Sequence, residues 1–248
     1  MNGIRTGGFV AVLLVMSVST MGSLMGQDQP ATKRTPPAKK PPAAFEPPEV
    51  QAGLPNVLLI GDSISIGYML DVRKQLSGEA NVWRPATNCG PTTRGLESLD
   101  AWLGKRKWDV IHFNFGLHDL KYMGANGKNL ADPKASGSHQ QVPIEQYVAN
   151  LKRIAKRLKE TGATVIWCET TPVPEGSAGR VPGDSKRYNE AAAKAMSELG
   201  EIETDRLYAY ALEHAAMQKK ANVHYTPEGS AKLAEQVASS IRAALKAR

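Results

Sequence analysis

Ser63, Gly90, His118 and His224 are the residues whose types and order can do chemistry together in this chain. A serine hydroxyl becomes a useful nucleophile when a histidine takes its proton, and nearby N–H groups can hold the charge that develops on an attacked carbonyl oxygen. No one of these residue types is specific alone, so position has to supply the specificity. Ser63 ends the stretch Asn56-Val57-Leu58-Leu59-Ile60-Gly61-Asp62-Ser63. The apolar run reads as a buried strand, and Ile66, Met69, Leu70 and Leu76, opposite Asp71, Arg73 and Lys74, read as an amphipathic helix. Ser63 thus falls at a strand-to-helix turn, on the sheet edge where open α/β folds place ligands and where helix-start N–H groups lack partners. A capping serine is the structural alternative at such a turn.

The remaining elements must bring the other residues to the same edge. Asn81-Val82-Trp83 is a short candidate strand leading into the loop Pro85 to Thr93, after which Leu96, Leu99, Trp102 and Leu103 recur at helical spacing. Trp108 to Gly116 alternates and is rich in aromatic and β-branched residues, a strand that delivers Leu117, His118 and Asp119. Tyr122 to Gln141 has no periodicity, and a loop that long is usually functional or mobile. Pro143 opens a helix carrying Tyr147, Leu151, Ile154 and Leu158 and ending at Gly162. Ala163 to Cys168 is the next strand, and a second irregular loop runs from Thr170 to Gly183. Helix at Arg187 to Leu199, a weak strand at Glu201 to Thr204 and helix at Leu207 to Met217 follow. The loop with Asn222 and His224 precedes a Pro-initiated terminal helix. Strands alternating with helices imply a mainly parallel sheet with right-handed crossovers, which gathers the post-strand loops at one edge.

The front of the chain is of another kind. Arg5 followed by Phe9 to Met16 and then small residues has the layout of a secretory signal, expected over residues 1–26. Residues 27–53 are rich in Pro and Lys and read as an extended linker, so the folded domain is expected over residues 54–248. The protein is therefore expected to be exported, to the periplasm, cell envelope or medium, with no stable membrane insertion once the signal is removed. A net charge of +7 is spread along helical faces without a basic block or aromatic ladder, which argues against a nucleic-acid partner. Cys89 and Cys168 have neither CxxC nor metal-ligand spacing, and the five histidines form no HExxH, so neither metal nor organic cofactor is expected.

Taken together, these motifs resemble those of the SGNH, or GDSL-type, hydrolases over most of the domain from Asn56 onward. Gly61-Asp62-Ser63 matches the first family block, Gly90 ahead of Thr92-Thr93 the glycine of the second, Gly116-Leu117-His118-Asp119 the Gly-x-Asn-Asp of the third, and His224 the histidine of the last. The resemblance implies an α/β three-layer sandwich with a flavodoxin-like five-stranded sheet of strand order 2-1-3-4-5. It casts Ser63 as nucleophile, His224 as base, and Ser63, Gly90 and His118 as the oxyanion hole. At that strand order Cys89 and Cys168 lie about 14 Å apart at ~4.8 Å per strand step, too far for a disulfide.

Two departures from the pattern carry weight. His118 stands in place of the oxyanion asparagine, and a neutral imidazole has one N–H to offer. Ala221 stands where the family's aspartate precedes the histidine by three residues. Three alternatives follow: a Ser-His pair oriented by a neutral group such as Asn222 or a carbonyl, a relocated acid among Glu169, Asp205 and Glu228, or an inactive fold. Asp62 and Asp119 are expected to bind backbone N–H groups of turns and helix starts. The function implied is an exported serine esterase acting on an O-acetyl or other short acyl ester of a small molecule or glycan. The alternatives are a weakly catalytic carbohydrate-binding protein and an acyltransferase.

Overall fold

The computed structural model describes residues 41–248. The expected signal peptide and the first part of the expected linker, residues 27–40, lie outside the described residues. The main sheet is built from β1 (Asn56–Ile60), β2 (Asn81–Trp83), β3 (Val110–Phe113), β6 (Thr164–Cys168) and β7 (Ile202–Asp205). All pairings are parallel in the order β2-β1-β3-β6-β7, the flavodoxin-like order expected. Between β3 and β6 come two short strands of the long loop, β4 (Tyr122–Met123) and β5 (His139–Gln140), which pair antiparallel.

Helices cover both faces. On one lie α1 (Ser63–Gln75), α5 (Leu207–Glu213) and α6 (Pro227–Lys246); on the other lie α2 (Thr92–Leu103), α3 (Ile144–Lys159) and α4 (Asp184–Leu199). Strands buried on both faces must be apolar throughout, and Val57, Leu58, Leu59 and Ile60 of β1 are all buried. At roughly 1.5–3 kcal/mol per buried aliphatic side chain, this strand is a rigid base for the turn that follows it. The edge strand β7 is short and half-exposed, which explains its weak sequence signal.

One sequence expectation needs correction. Residues 42–53 do not form a free tether. A 3-10 turn at Ala43–Phe45 buries Ala44 in the core and sets the Phe45 ring 5.4 Å from the Arg84 guanidinium. Gln51 N–H donates to Asn81 Oδ1 at 2.8 Å, and Asn81 Nδ2 donates back to the Gln51 carbonyl at 3.0 Å. Composition signals a linker there, yet two apolar residues and one amide suffice to dock it, so the folded unit begins near Pro42. The long loop is likewise structured, because Tyr122 N–H donates to the Gly179 carbonyl at 2.7 Å and joins it to the second irregular loop. At Gly179, φ is 60° and a Cβ would lie 2.3 Å from Leu130 Cα, so this junction admits only glycine.

Candidate active site

The turn after β1 is shaped from below. At Gly61 an added Cβ would meet Ser65 Oγ at 2.8 Å, so glycine is what allows Ser65 to tuck under the turn. Ser65 Oγ donates to the Asp62 carbonyl at 2.8 Å. Buried Arg84 then donates to Ser65 Oγ and to the carbonyls of Gly61 and Thr87, each at 3.2 Å. This arginine ties the turn after β1 to the turn after β2, and no local sequence signal announces it. Asp62 caps α1 by accepting from Ile64 N–H at 2.9 Å, the structural role expected of it. Ser63 opens the helix, so its N–H has no intrahelical acceptor.

His224 reaches Ser63 from the loop before α6, with Ser63 Oγ and His224 Nε2 2.8 Å apart. The other ring nitrogen, Nδ1, lies 2.7 Å from Asn222 Oδ1, which also accepts the His224 backbone N–H at 3.0 Å. An amide oxygen can only accept, so Nδ1 carries the hydrogen and Nε2 presents its lone pair to the serine hydroxyl. The loop that sets this up is a tight turn: Asn222 N–H donates to the Lys219 carbonyl at 3.2 Å, and Lys219 N–H to the His224 carbonyl at 2.9 Å. Ala221 sits in that turn at φ 52°, so the position where an aspartate was expected is a left-handed turn residue, and the ring's partner comes from the next residue.

No carboxylate takes the acid's place among the described residues. Asp205 is buried against His112, Glu169 accepts from Tyr208 N–H at 3.1 Å, and Glu228 lies in the first turn of α6. Asp119 is also structural: its Oδ1 accepts from Thr92 N–H at 2.9 Å and Thr92 Oγ1 at 2.5 Å, fixing the start of α2 to the loop after β3. Burial pushes the Asp119 carboxyl up to about 7, against those two bonds.

His118 leaves the end of β3 half-buried beside this pair, and its ring makes no hydrogen bond among the described residues. Burial pushes it below the ordinary histidine range; Asp62 opposes that shift, while Lys121, Arg180 and His224 add to it. The imidazole is therefore neutral at ordinary pH, with one N–H to offer. The His224 ring is lowered in the same way, first by desolvation, with Asp62 opposing and Arg180 and Lys219 reinforcing. The Gly90 N–H is engaged at 3.0 Å by Asn88 Oδ1, so it is not free in this state. Cys89 and Cys168 are buried, free thiols, as the strand order requires. Burial pushes the Cys89 thiol up to about 11, which removes it as a competing nucleophile.

Beside Ser63 and His224 lies a cavity of about 170 Å³ lined also by Ile64, Gly67, Lys219, Tyr225 and Ser230. A larger depression of about 440 Å³, lined by Lys159, Thr164 and Glu203, is at the opposite, N-terminal edge of the sheet and holds no nucleophile.

The profile of the GDSL-like lipase/acylhydrolase family matches residues 57–237. A GDSL esterase/lipase of Arabidopsis thaliana is 27% identical, the match covering 77% of this chain and 86% of that protein. An arylesterase of Vibrio mimicus is 22% identical over 75% of this chain and 88% of its own. In fold, the chain is similar to the acetylxylan esterase Axe2 of Geobacillus stearothermophilus, with a TM-score of 0.60 at 16% identity, covering 75% of this chain and 94% of that one.

Proposed function

The chain belongs to the GDSL-like lipase/acylhydrolase family and is an ester-hydrolysing enzyme with the SGNH hydrolase fold, and we propose that it is an exported serine esterase working through Ser63, His224 and Asn222. The observation that carries this reading is the continuous hydrogen-bonded line from Ser63 Oγ to His224 Nε2 at 2.8 Å and from His224 Nδ1 to Asn222 Oδ1 at 2.7 Å.

In this mechanism His224 Nε2 takes the serine proton as Oγ attacks the ester carbonyl. The oxyanion receives the N–H of Ser63 and the ring N–H of His118, and the Gly90 N–H joins them when it turns from Asn88. The imidazolium gives its proton to the leaving alkoxide, and a water activated by the same imidazole then releases the acid from the acyl-enzyme. Asn222 fixes the tautomer and ring orientation, which is half of what a triad carboxylate does. It supplies no charge to the imidazolium, so the second half is missing.

The 170 Å³ cavity fits a short acyl group better than a long chain. The acetylxylan esterase among the structural neighbours, together with the expected export, supports O-acetyl or short acyl groups on a carbohydrate. Activity on p-nitrophenyl esters of increasing chain length and on acetylated xylan, with Ser63→Ala as control, tests the assignment. Turnover should fall with chain length and vanish in the variant; activity retained in Ser63→Ala would end it.

A further inference from the structure

Three cations, Lys219, Arg180 and Lys121, act on the two histidines of the site, and none of them is locked in an ion pair among the described residues. Lys219 lines the same cavity as Ser63 and His224. Arg180 and Lys219 act electrostatically on His224, and Arg180 and Lys121 act on His118. Among the described residues none of the three is in an ion pair, whereas Arg157, Lys232 and Arg242 each meet a carboxylate elsewhere on the surface. The neighbouring acids are already engaged: Asp62 on the α1 cap and Asp119 on Thr92.

Arg180 is the best defined of the set. Its Nε donates at 3.0 Å to the carbonyl of Leu117, the residue before His118. Its backbone follows Gly179, the junction where the two irregular loops lock together. The other guanidinium nitrogens have no protein acceptor among the described residues, although the side chain is partly buried. A partly buried cation with idle donors costs desolvation free energy, and tying it to the residue before His118 makes sense when the ligand brings the anion.

We propose that the ester cleaved at this site belongs to a carboxylate-bearing carbohydrate, an acylated uronic-acid glycan, whose carboxylate is held by Arg180 with Lys219 and Lys121. This rests on the esterase reading of Ser63 and His224 and names its substrate class. It also addresses the missing triad acid. Arg180 and Lys219 oppose the positive charge that His224 must take up, Asp62 favours it, and Asn222 adds no charge of its own. A bound carboxylate screens both cations and places a negative charge near the forming imidazolium, so the anionic substrate should gain in kcat as well as in KM.

The test pairs the monoacetates of a methyl glucoside and a methyl glucuronide, which share acyl group and ring. The glucuronide should be preferred in kcat/KM by about tenfold at low salt, with the preference shrinking as KCl is raised. Arg180→Gln and Lys219→Gln should each reduce that ratio several-fold. Equal turnover of the two esters, or a ratio unmoved by both variants, overturns the proposal while leaving the esterase reading intact. If neither ester is cleaved, calorimetry of digalacturonate and xylobiose on the wild-type protein and on Ser63→Ala decides. Binding of the uronate alone, lost in Arg180→Gln, upholds the proposal; equal binding of both or of neither overturns it.

Discussion

Among the described residues two histidines have a ring nitrogen oriented by an Asp or Asn side-chain oxygen, and the two pairs have opposite fates. His112 Nε2 lies 2.9 Å from Asp205 Oδ2, both residues fully buried between the sheet and α6, where Gln236 Nε2 donates to the other carboxylate oxygen at 2.8 Å. His224 pairs with a neutral amide on an exposed turn. By composition alone the buried pair is the better half of a triad, because it has the carboxylate. It has no route to a substrate, and the nearest sulfur, Cys168, is a thiol whose burial raises it well above the ordinary range. The exposed pair has a serine at 2.8 Å, a cavity and a neutral histidine beside it. In the proposed mechanism, place in the fold, at the C-terminal edge rather than within a strand, decides which histidine does chemistry.

That contrast predicts that damage at the two pairs separates into activity and stability. The largest effect belongs to His224→Ala, which should lower kcat by about 10⁴-fold or more with thermal unfolding little changed. Asp205→Ala should do the converse. It leaves His112 unpartnered in the core and takes an acceptor from half-buried Gln236, costing about 3–5 kcal/mol and roughly 10 °C in Tm by calorimetry, with kcat of the surviving folded protein near wild type. A loss of activity without loss of stability in Asp205→Ala would erase the distinction.

Smaller effects sharpen it. His118→Ala should lower kcat about 10²-fold, the usual loss for one oxyanion donor, with KM for a neutral ester moved far less. Asn222→Ala should cost about tenfold in kcat by freeing the ring, while Asn222→Asp should raise the pH midpoint of activity by adding a negative charge beside the imidazolium. The wild-type pH profile is the finest probe. His224 must be neutral to act, and desolvation, Arg180 and Lys219 lower it, so kcat/KM should rise along a limb centred below the ordinary histidine value of about 6.5 and then stay level.

What could be read from the sequence was local or ordered. The β1 run, the Gly61-Asp62-Ser63 turn and the Pro227 start of α6 are signalled by neighbouring residues; the strand-helix alternation implies a parallel sheet, and the family resemblance implies its order. Ser63 and His224 could be paired because both lie in post-strand or pre-helix loops that a parallel sheet gathers. Asn222 emerged only as one of several ways to orient the ring, since its contact depends on a turn with Ala221 at positive φ, which no local pattern demands. Arg84 and the His112–Asp205 pair were not legible at all. Their partners lie on other elements, 93 residues apart for His112 and Asp205, and nothing near either residue marks the contact. Residues 42–53 misled for the opposite reason: their composition is that of a linker, and Ala44, Phe45 and the Gln51–Asn81 hydrogen bonds, which hold them down, carry no local signal.

The central claim is that Ser63 is activated by His224 held by Asn222. Its most direct measurement is the rate at which a fluorophosphonate forms a covalent adduct, located by peptide mass spectrometry. The account predicts one adduct on the Ser63 peptide, slowed by orders of magnitude in His224→Ala, slowed about tenfold in Asn222→Ala and unaffected in folded Asp205→Ala. An adduct elsewhere, none at all, or a rate indifferent to His224 would contradict it.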